Sequence, residues 1–152
     1  LFEQHMAVLK PDVVILSIGI NDANTLNFNP TRYENNYDEL VSRIRRANPD
    51  AIIIFTTNND SYYKRKYPNK NALEVQKTML RLGNKHNAVV WDMFTIMGGL
   101  GSIRLWQGSE LAANDRIHLT AKGYTFLADL MFNALLQEYD RKLAAAGNKG
   151  QN

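Results

Sequence analysis

The sequence predicts an α/β domain built on a parallel sheet. Three observations lead there. Val13-Val14-Ile15-Leu16 and Ile52-Ile53-Ile54-Phe55 are short, β-branched and apolar on both faces, the pattern of strands covered from two sides. Apolar stripes at helical spacing follow each run. The resulting order, strand-helix-strand-helix-strand-helix, is the alternation that builds parallel sheets.

Taken in order, Phe2 to Leu9 reads as a helix that Pro11 stops. The first strand runs from Asp12 to Gly19. Asn29-Pro30-Thr31 starts a helix: Asn29 or Thr31 can cap it, proline suits its first turn, and Glu34 completes a Thr-x-x-Glu box. Tyr33, Tyr37, Leu40, Val41 and Ile44 form its inner stripe. Asn48-Pro49-Asp50 ends it, and Ala51 to Thr57 is the second strand. A polar loop spans Asn58 to Lys70. The next helix covers Ala72 to Lys85, and Ala88 to Asp92 is a short third strand. From Gly98-Gly99-Leu100-Gly101 an irregular segment reaches Thr120, which caps a last helix. Its expected inner face is Tyr124, Leu127, Ala128, Met131 and Leu135. The single domain is expected over 1–146, with a flexible tail over 147–152.

Bulk composition narrows the classes. At 152 residues there is room for one domain with a sizeable core. The net charge of +3 is too mild to indicate nucleic acid, and none is expected as a partner. With no cysteine, thiolate nucleophiles, disulfides and cysteine–zinc sites are excluded, while the redox compartment stays open. No apolar run reaches the roughly 20 residues of a membrane helix, so no membrane partner is expected. The chain opens at Leu1, inside what reads as a helix, so a native start elsewhere is compatible with it.

In a parallel sheet, ligands gather beyond the carboxyl ends of the strands. Asn21, Thr57 to Asp60 and the segment after Asp92 all lie there. Asp115 and His118 stand three apart, just before the last helix. A carboxylate accepting Nδ1–H fixes the imidazole tautomer and frees Nε2 as a base. The plainer alternative makes Asp115 a turn cap and His118 a surface residue. His5 and His86 sit in helical contexts with no nearby carboxylate in sequence. Gly19 lets the strand end turn, Asn21 carries an amide able to donate to an oxyanion, and Asp22 braces the loop. Ordinary turn chemistry would also explain Asn21-Asp22.

The remaining signals are weaker. The Gly98–Gly101 stretch lacks the lysine and hydroxyl of a phosphate loop and completes no dinucleotide fingerprint, so no cofactor is expected. No metal site is expected either. Trp106 is either core or a sugar-stacking platform. Tyr62-Tyr63-Lys64-Arg65-Lys66-Tyr67 interleaves aromatics with positive charge at the strand rim. It is a solvated loop, or it stacks sugars or meets an anionic polymer. Asn58, Tyr62 and Trp106 are the candidate substrate contacts. The serines are Ser17, Ser42, Ser61, Ser102 and Ser109, and none lies in Gly-Asp-Ser or Gly-x-Ser-x-Gly. Ser17 reads as packing.

Gly19-Ile20-Asn21-Asp22 and Asp115-Arg116-Ile117-His118, in this order and spacing, resemble two sequence blocks of the SGNH, or GDSL, hydrolases. Leu119-Thr120 and Gly123-Tyr124 are similar to the family's stretch after its histidine. The resemblance implies a three-layer, flavodoxin-like parallel sheet with helices on both faces. By it, His118 is the general base, Asp115 its orienting acid and Asn21 an oxyanion donor. It further implies a serine nucleophile without metal, and ester substrates that are often acyl groups on carbohydrates. The long loops through Met97-Gly98-Gly99 and Trp106 look like the branch that deacetylates cell-wall or plant polysaccharides. An extracytoplasmic location is favoured on this resemblance alone.

The departure from the family is equally informative. Its Gly-Asp-Ser block and the glycine block after it are absent, and Leu1 to Pro11 resembles what normally follows them. The chain thus reads as the C-terminal part of an SGNH domain, incomplete at its N-terminus. In that fold the absent first strand lies beside Val13–Gly19. A separate N-terminal fragment or a partner chain is therefore expected to cover strand 13–19, because a bare apolar edge invites association. The expected function is hydrolysis of carboxylic esters, foremost acetyl esters on polysaccharide, through a serine this chain does not encode. Alone, the chain is expected to be inactive. The alternatives are a non-catalytic carbohydrate-binding module and an SGNH-type O-acyltransferase.

Overall fold

The computed structural model describes residues 1–149. In chain order its elements are α1 (Phe2–Leu9), β1 (Val13–Leu16), α2 (Ile20–Ala23), α3 (Pro30–Ala47), β2 (Ile52–Thr56), β3 (Tyr62–Tyr63), β4 (Tyr67–Pro68), α4 (Asn71–His86), β5 (Val89–Trp91), α5 (Met93–Met97), α6 (Ile103–Gly108) and α7 (Ala121–Lys149). The three main strands form one parallel sheet in the order β1-β2-β5. Val13 lies beside Ile52 and Leu16 beside Phe55; Ile54 lies beside Val89 and Thr56 beside Trp91. This is the expected α/β architecture, a parallel sheet flanked by helices.

Alternation along each strand turns one set of its apolar residues toward a first cluster. Val14, Leu16, Ile53, Phe55 and Val90 meet α1, α3 and α4 through Met6, Tyr37, Val41, Ile44, Val75, Met79 and Leu82. The second cluster gathers Tyr62, Met97, Ile103, Trp106, Ala112, Leu119 and Leu127, with Trp91 at its margin. It reaches Trp91 on β5 but includes no residue of β1. Val13 and Ile15, read from sequence as lying under a second layer, are accordingly 45% and 50% exposed. β1 is also an edge strand, bonded to β2 alone.

Several boundaries sharpen. Asn29, and not Thr31, caps α3, its side chain accepting from the Arg32 N–H at 2.9 Å. Glu34 is engaged elsewhere, by Arg81 of α4 at 2.8 Å, so the Thr-x-x-Glu box does not form. The supposedly irregular stretch from Gly98 to Thr120 contains α6, the short helix α5 precedes it, and the polar loop contains the β3–β4 hairpin. These pieces are too short to show a period, and burial of Phe94, Met97, Ile103 and Trp106 holds the helices.

Thr120 caps α7 as expected, accepting from the Gly123 N–H at 3.1 Å. The inner face of α7 differs from the expected one. Leu127 is buried and Leu130 packs beside it, while Tyr124 and Leu135 are largely exposed. Gly123 sets this rotation. A Cβ there would lie 1.9 Å from the Leu111 carbonyl oxygen, so only glycine lets the helix dock this closely. The expected tail begins within the last turns of α7, and its residues 150–152 lie outside the described residues.

Candidate active site

The loop between α6 and α7 folds on itself before any ligand is considered. An isolated antiparallel bridge joins Ala112 to Leu119. The Ala113 N–H donates to the His118 carbonyl at 2.9 Å, and the Thr120 N–H to the Leu111 carbonyl at 3.0 Å. Arg116 makes the reversal in the left-handed region, at φ 56°.

Asp115 closes this turn and holds the histidine, one oxygen for each task. Its Oδ1 accepts from the backbone N–H of Ile117 at 2.9 Å and of His118 at 3.0 Å. Its Oδ2 lies 2.7 Å from His118 Nδ1. Asp115 thus closes the turn and also contacts the His118 ring. Partial burial pushes the Asp115 carboxyl up, but the bonds from the His118 ring and the two backbone N–H groups prevail and hold it at about 2. An ionised carboxylate only accepts, so Nδ1 donates in this contact, and among the described residues no hydrogen bond occupies Nε2. The His118 side chain is 68% exposed.

Asn21 sits in the single turn α2 at the carboxyl end of β1. Gly19 enters that turn at φ 126°, and a Cβ on it would lie 2.3 Å from the Tyr33 hydroxyl. Both facts demand glycine. Asn21 and Asp22 are exposed, and among the described residues no hydrogen bond occupies the Asn21 amide. Asp22 accepts from the Thr25 hydroxyl through its backbone carbonyl at 2.9 Å, which is turn bracing.

The loop after β2 ties these two regions together. Asn69 and Asn71 donate to the Ala23 carbonyl at 3.1 and 2.9 Å, pinning α2. The Asn69 N–H reaches back to the Ser61 carbonyl at 2.9 Å. On the other side, Asn59 Nδ2 donates to the Ile117 carbonyl at 2.9 Å and the Tyr62 N–H to the Arg116 carbonyl at 2.7 Å. No direct hydrogen bond joins Asn21 to Asp115 or His118 among the described residues. Asn59, Asn69 and Asn71 are positioning residues that the sequence reading missed. An asparagine in a loop signals a turn, and their partners lie 46 to 58 positions away.

The candidate substrate contacts divide. Tyr62 and Trp106 are 5% and 8% exposed, both in the second core cluster. The Trp106 indole N–H donates to the Met97 carbonyl at 2.9 Å. Of its two readings, the structure gives the core. Asn58 is also buried, yet its Nδ2 has no protein acceptor, and such a donor suits a substrate or water oxygen. Asp60 Oδ1 and Ser102 Oγ are likewise unpartnered, while Asp60 Oδ2 accepts from the Ile103 N–H at 2.9 Å. Burial pushes the Asp60 carboxyl up. Ser17 is bonded to the Thr56 hydroxyl at 2.8 Å, and Ser61 and Ser102 are buried.

Residues 2–126 match the GDSL-like Lipase/Acylhydrolase family. A comparison with curated proteins found no match. Among solved structures, the chain is similar to a peptidoglycan O-acetylesterase, with a TM-score of 0.80 and 28% identity, covering 88% of this chain and 40% of that one. It also shares the fold of a lipase/acylhydrolase from Enterococcus faecalis, with a TM-score of 0.67 and 22% identity over 88% of this chain and 66% of that one. A third similarity is to the acetyl xylan esterase AlAXEase, with a TM-score of 0.65 and 21% identity over 88% of this chain and 71% of that one. The chain thus spans well under half the length of the first of these structures.

Proposed function

The chain belongs to the GDSL-like lipase/acylhydrolase family, and from that premise we propose that it supplies the base half of a serine esterase acting on acetylated polysaccharide. One observation carries this reading. Asp115 Oδ2 holds His118 Nδ1 at 2.7 Å, which leaves Nε2 free and open to solvent at the carboxyl rim of the sheet.

The chemistry follows from that geometry. A serine Oγ attacks the ester carbonyl carbon and gives its proton to His118 Nε2. The carbonyl electron pair moves to oxygen, where the Asn21 amide donates to it. Asp115 stabilises the imidazolium. Collapse expels the sugar alkoxide, which takes the proton from Nε2. Water then repeats the sequence on the acyl-serine, releasing a carboxylic acid and restoring the serine. A sugar hydroxyl in place of that water would make the same site an acyltransferase. A binding module gripping sugars through Tyr62 and Trp106 is the weaker alternative, because both rings are buried.

The serine comes from a segment that adds to the open edge of β1, either continuous with this chain or on a partner. Two observations support this. β1 is paired on one side only, and its exposed Val13 and Ile15 leave one face of this edge strand apolar and uncovered. None of the five serines of the sequence stands in Gly-Asp-Ser. The test is hydrolysis of p-nitrophenyl acetate by the purified active protein, with its intact mass measured in parallel. His118→Ala should lower the rate roughly 10⁴-fold or more. An unchanged rate would refute the base assignment. An active species whose mass is that of these 152 residues alone would refute the separate serine.

A further inference from the structure

We propose that the β3–β4 hairpin is an anion-binding finger beside the Asp115–His118 loop, which makes the substrate a polysaccharide bearing carboxylate groups as well as esters. Calling that glycan a substrate rests on the esterase reading above; the binding itself does not.

Charge distribution carries the inference. Segment 58–70 holds Lys64, Arg65, Lys66 and Lys70 against the single acid Asp60, a net charge of +3, which is also the net charge of the whole chain. The rest of the sequence is neutral in sum. Asp60 is fully buried, so the surface of this segment is purely cationic. Many cations elsewhere are matched, such as Arg43 with Glu3, Arg81 with Glu34, Lys85 with Asp38 and Lys77 with Glu74. The unmatched ones among the described residues, Lys10, Arg32, Arg45, Arg104 and Arg116, are scattered along the sequence, whereas this segment holds four in seven positions. Among the described residues no salt bridge engages Lys64, Arg65, Lys66 or Lys70.

Geometry adds rigidity and place. Tyr62 pairs with Pro68 and Tyr63 with Tyr67. The Lys66 N–H closes the turn on the Tyr63 carbonyl at 3.1 Å. Lys64 and Arg65 occupy both central positions in the left-handed region, at φ 49° and 60°. That is a type I′ turn, whose sites ordinarily go to asparagine or glycine. Two long cations are held there at the tip of a two-stranded ribbon. The base of the ribbon is bonded to the catalytic loop through the Tyr62 N–H and the Arg116 carbonyl at 2.7 Å. The Arg116 guanidinium also stacks on the Tyr62 ring at 5.3 Å. A polyanion following the cationic tip therefore passes beside Asp115 and His118. Exposed Tyr67 on β4 offers a face to a sugar ring.

The test is affinity electrophoresis of the full chain through gels holding polygalacturonate, neutral xylan or a single-stranded oligonucleotide. Polygalacturonate should retard the chain at low salt and lose its effect near 0.5 M salt, and xylan should not retard it. Lys64→Gln/Arg65→Gln/Lys66→Gln should weaken polygalacturonate binding at least tenfold with its thermal midpoint unchanged. Arg65→Gln alone, the milder variant, should weaken it by a smaller factor. Equal binding by the triple variant would overturn the finger. Equal retardation by the oligonucleotide would overturn the assignment to a glycan. Binding is read here without ester cleavage. Its failure leaves the His118 assignment standing, and failure of the p-nitrophenyl acetate test leaves the finger standing.

Discussion

Two carboxylate–imidazole contacts of nearly equal length sit in different parts of this molecule. His118 Nδ1 lies 2.7 Å from Asp115 Oδ2, and His86 Nε2 lies 2.6 Å from Asp38 Oδ1. The first joins residues three apart in one loop, at the carboxyl rim of the sheet. The second joins the last turn of α4 to α3, across 48 positions. Asp38 is shared with Lys85 at 2.6 Å. His86 is 17% exposed, against 68% for His118. A short contact therefore does not mark a general base. What separates the pairs is the nitrogen used and what the other nitrogen faces. His118 spends Nδ1 and leaves Nε2 without a protein partner among the described residues; His86 spends Nε2 on a hydrogen bond that clamps two helices.

Variants can break this contrast. The largest effect should come from His118→Ala, about 10⁴-fold or more in ester hydrolysis by the active protein, whereas His86→Ala should leave the rate within about twofold. Comparable losses at both positions would erase the distinction. Asp115→Asn should follow, at about 10³–10⁴-fold, because its side-chain oxygen can close the turn while its amide no longer accepts Nδ1–H. Circular dichroism should show a native fold beside that loss. Asn21→Ala should cost about 10²–10³-fold in kcat, and an effect confined to KM would remove it from the oxyanion role.

Smaller effects belong to stability. Both aspartates are held below their ordinary value of 3.8, Asp115 at about 2. A depressed carboxyl contributes stability that is fully present above its unfolded value and is lost as pH falls through the folded one. Unfolding titrations should therefore steepen between about pH 4 and 2, and Asp115→Asn should flatten that slope. His86→Ala should lower stability at pH 7 by about 1 kcal/mol in a urea titration, the smallest effect of the set.

The same contrast shows where sequence reading works. The Asp115–His118 pair was legible because both partners lie in one short run. The His86–Asp38 pair was not, since its members are brought together only by α3 packing on α4. β1 and β2 were legible as β-branched apolar runs. The exposure of Val13 and Ile15 was not, because periodicity says which residues are apolar and not which layer arrives to cover them. The bracing by Asn59, Asn69 and Asn71 escaped for a similar reason. A side-chain amide aimed at a distant carbonyl leaves no local pattern. The rotation of α7 was hidden in Gly123, whose role depends on the Leu111 carbonyl it admits.

The divided carboxylate of Asp115 has a consequence for how this loop tolerates drift. Glutamate would keep the charge but set it one methylene farther from the two backbone donors. Asparagine would keep the turn but present the wrong group to the imidazole. Moving the acid to a neighbouring position would abandon both tasks together. The turn and the imidazole contact thus hang on one side chain: asparagine would sever the ring contact and spare the turn, whereas a residue with no side-chain oxygen there should lose both in one step.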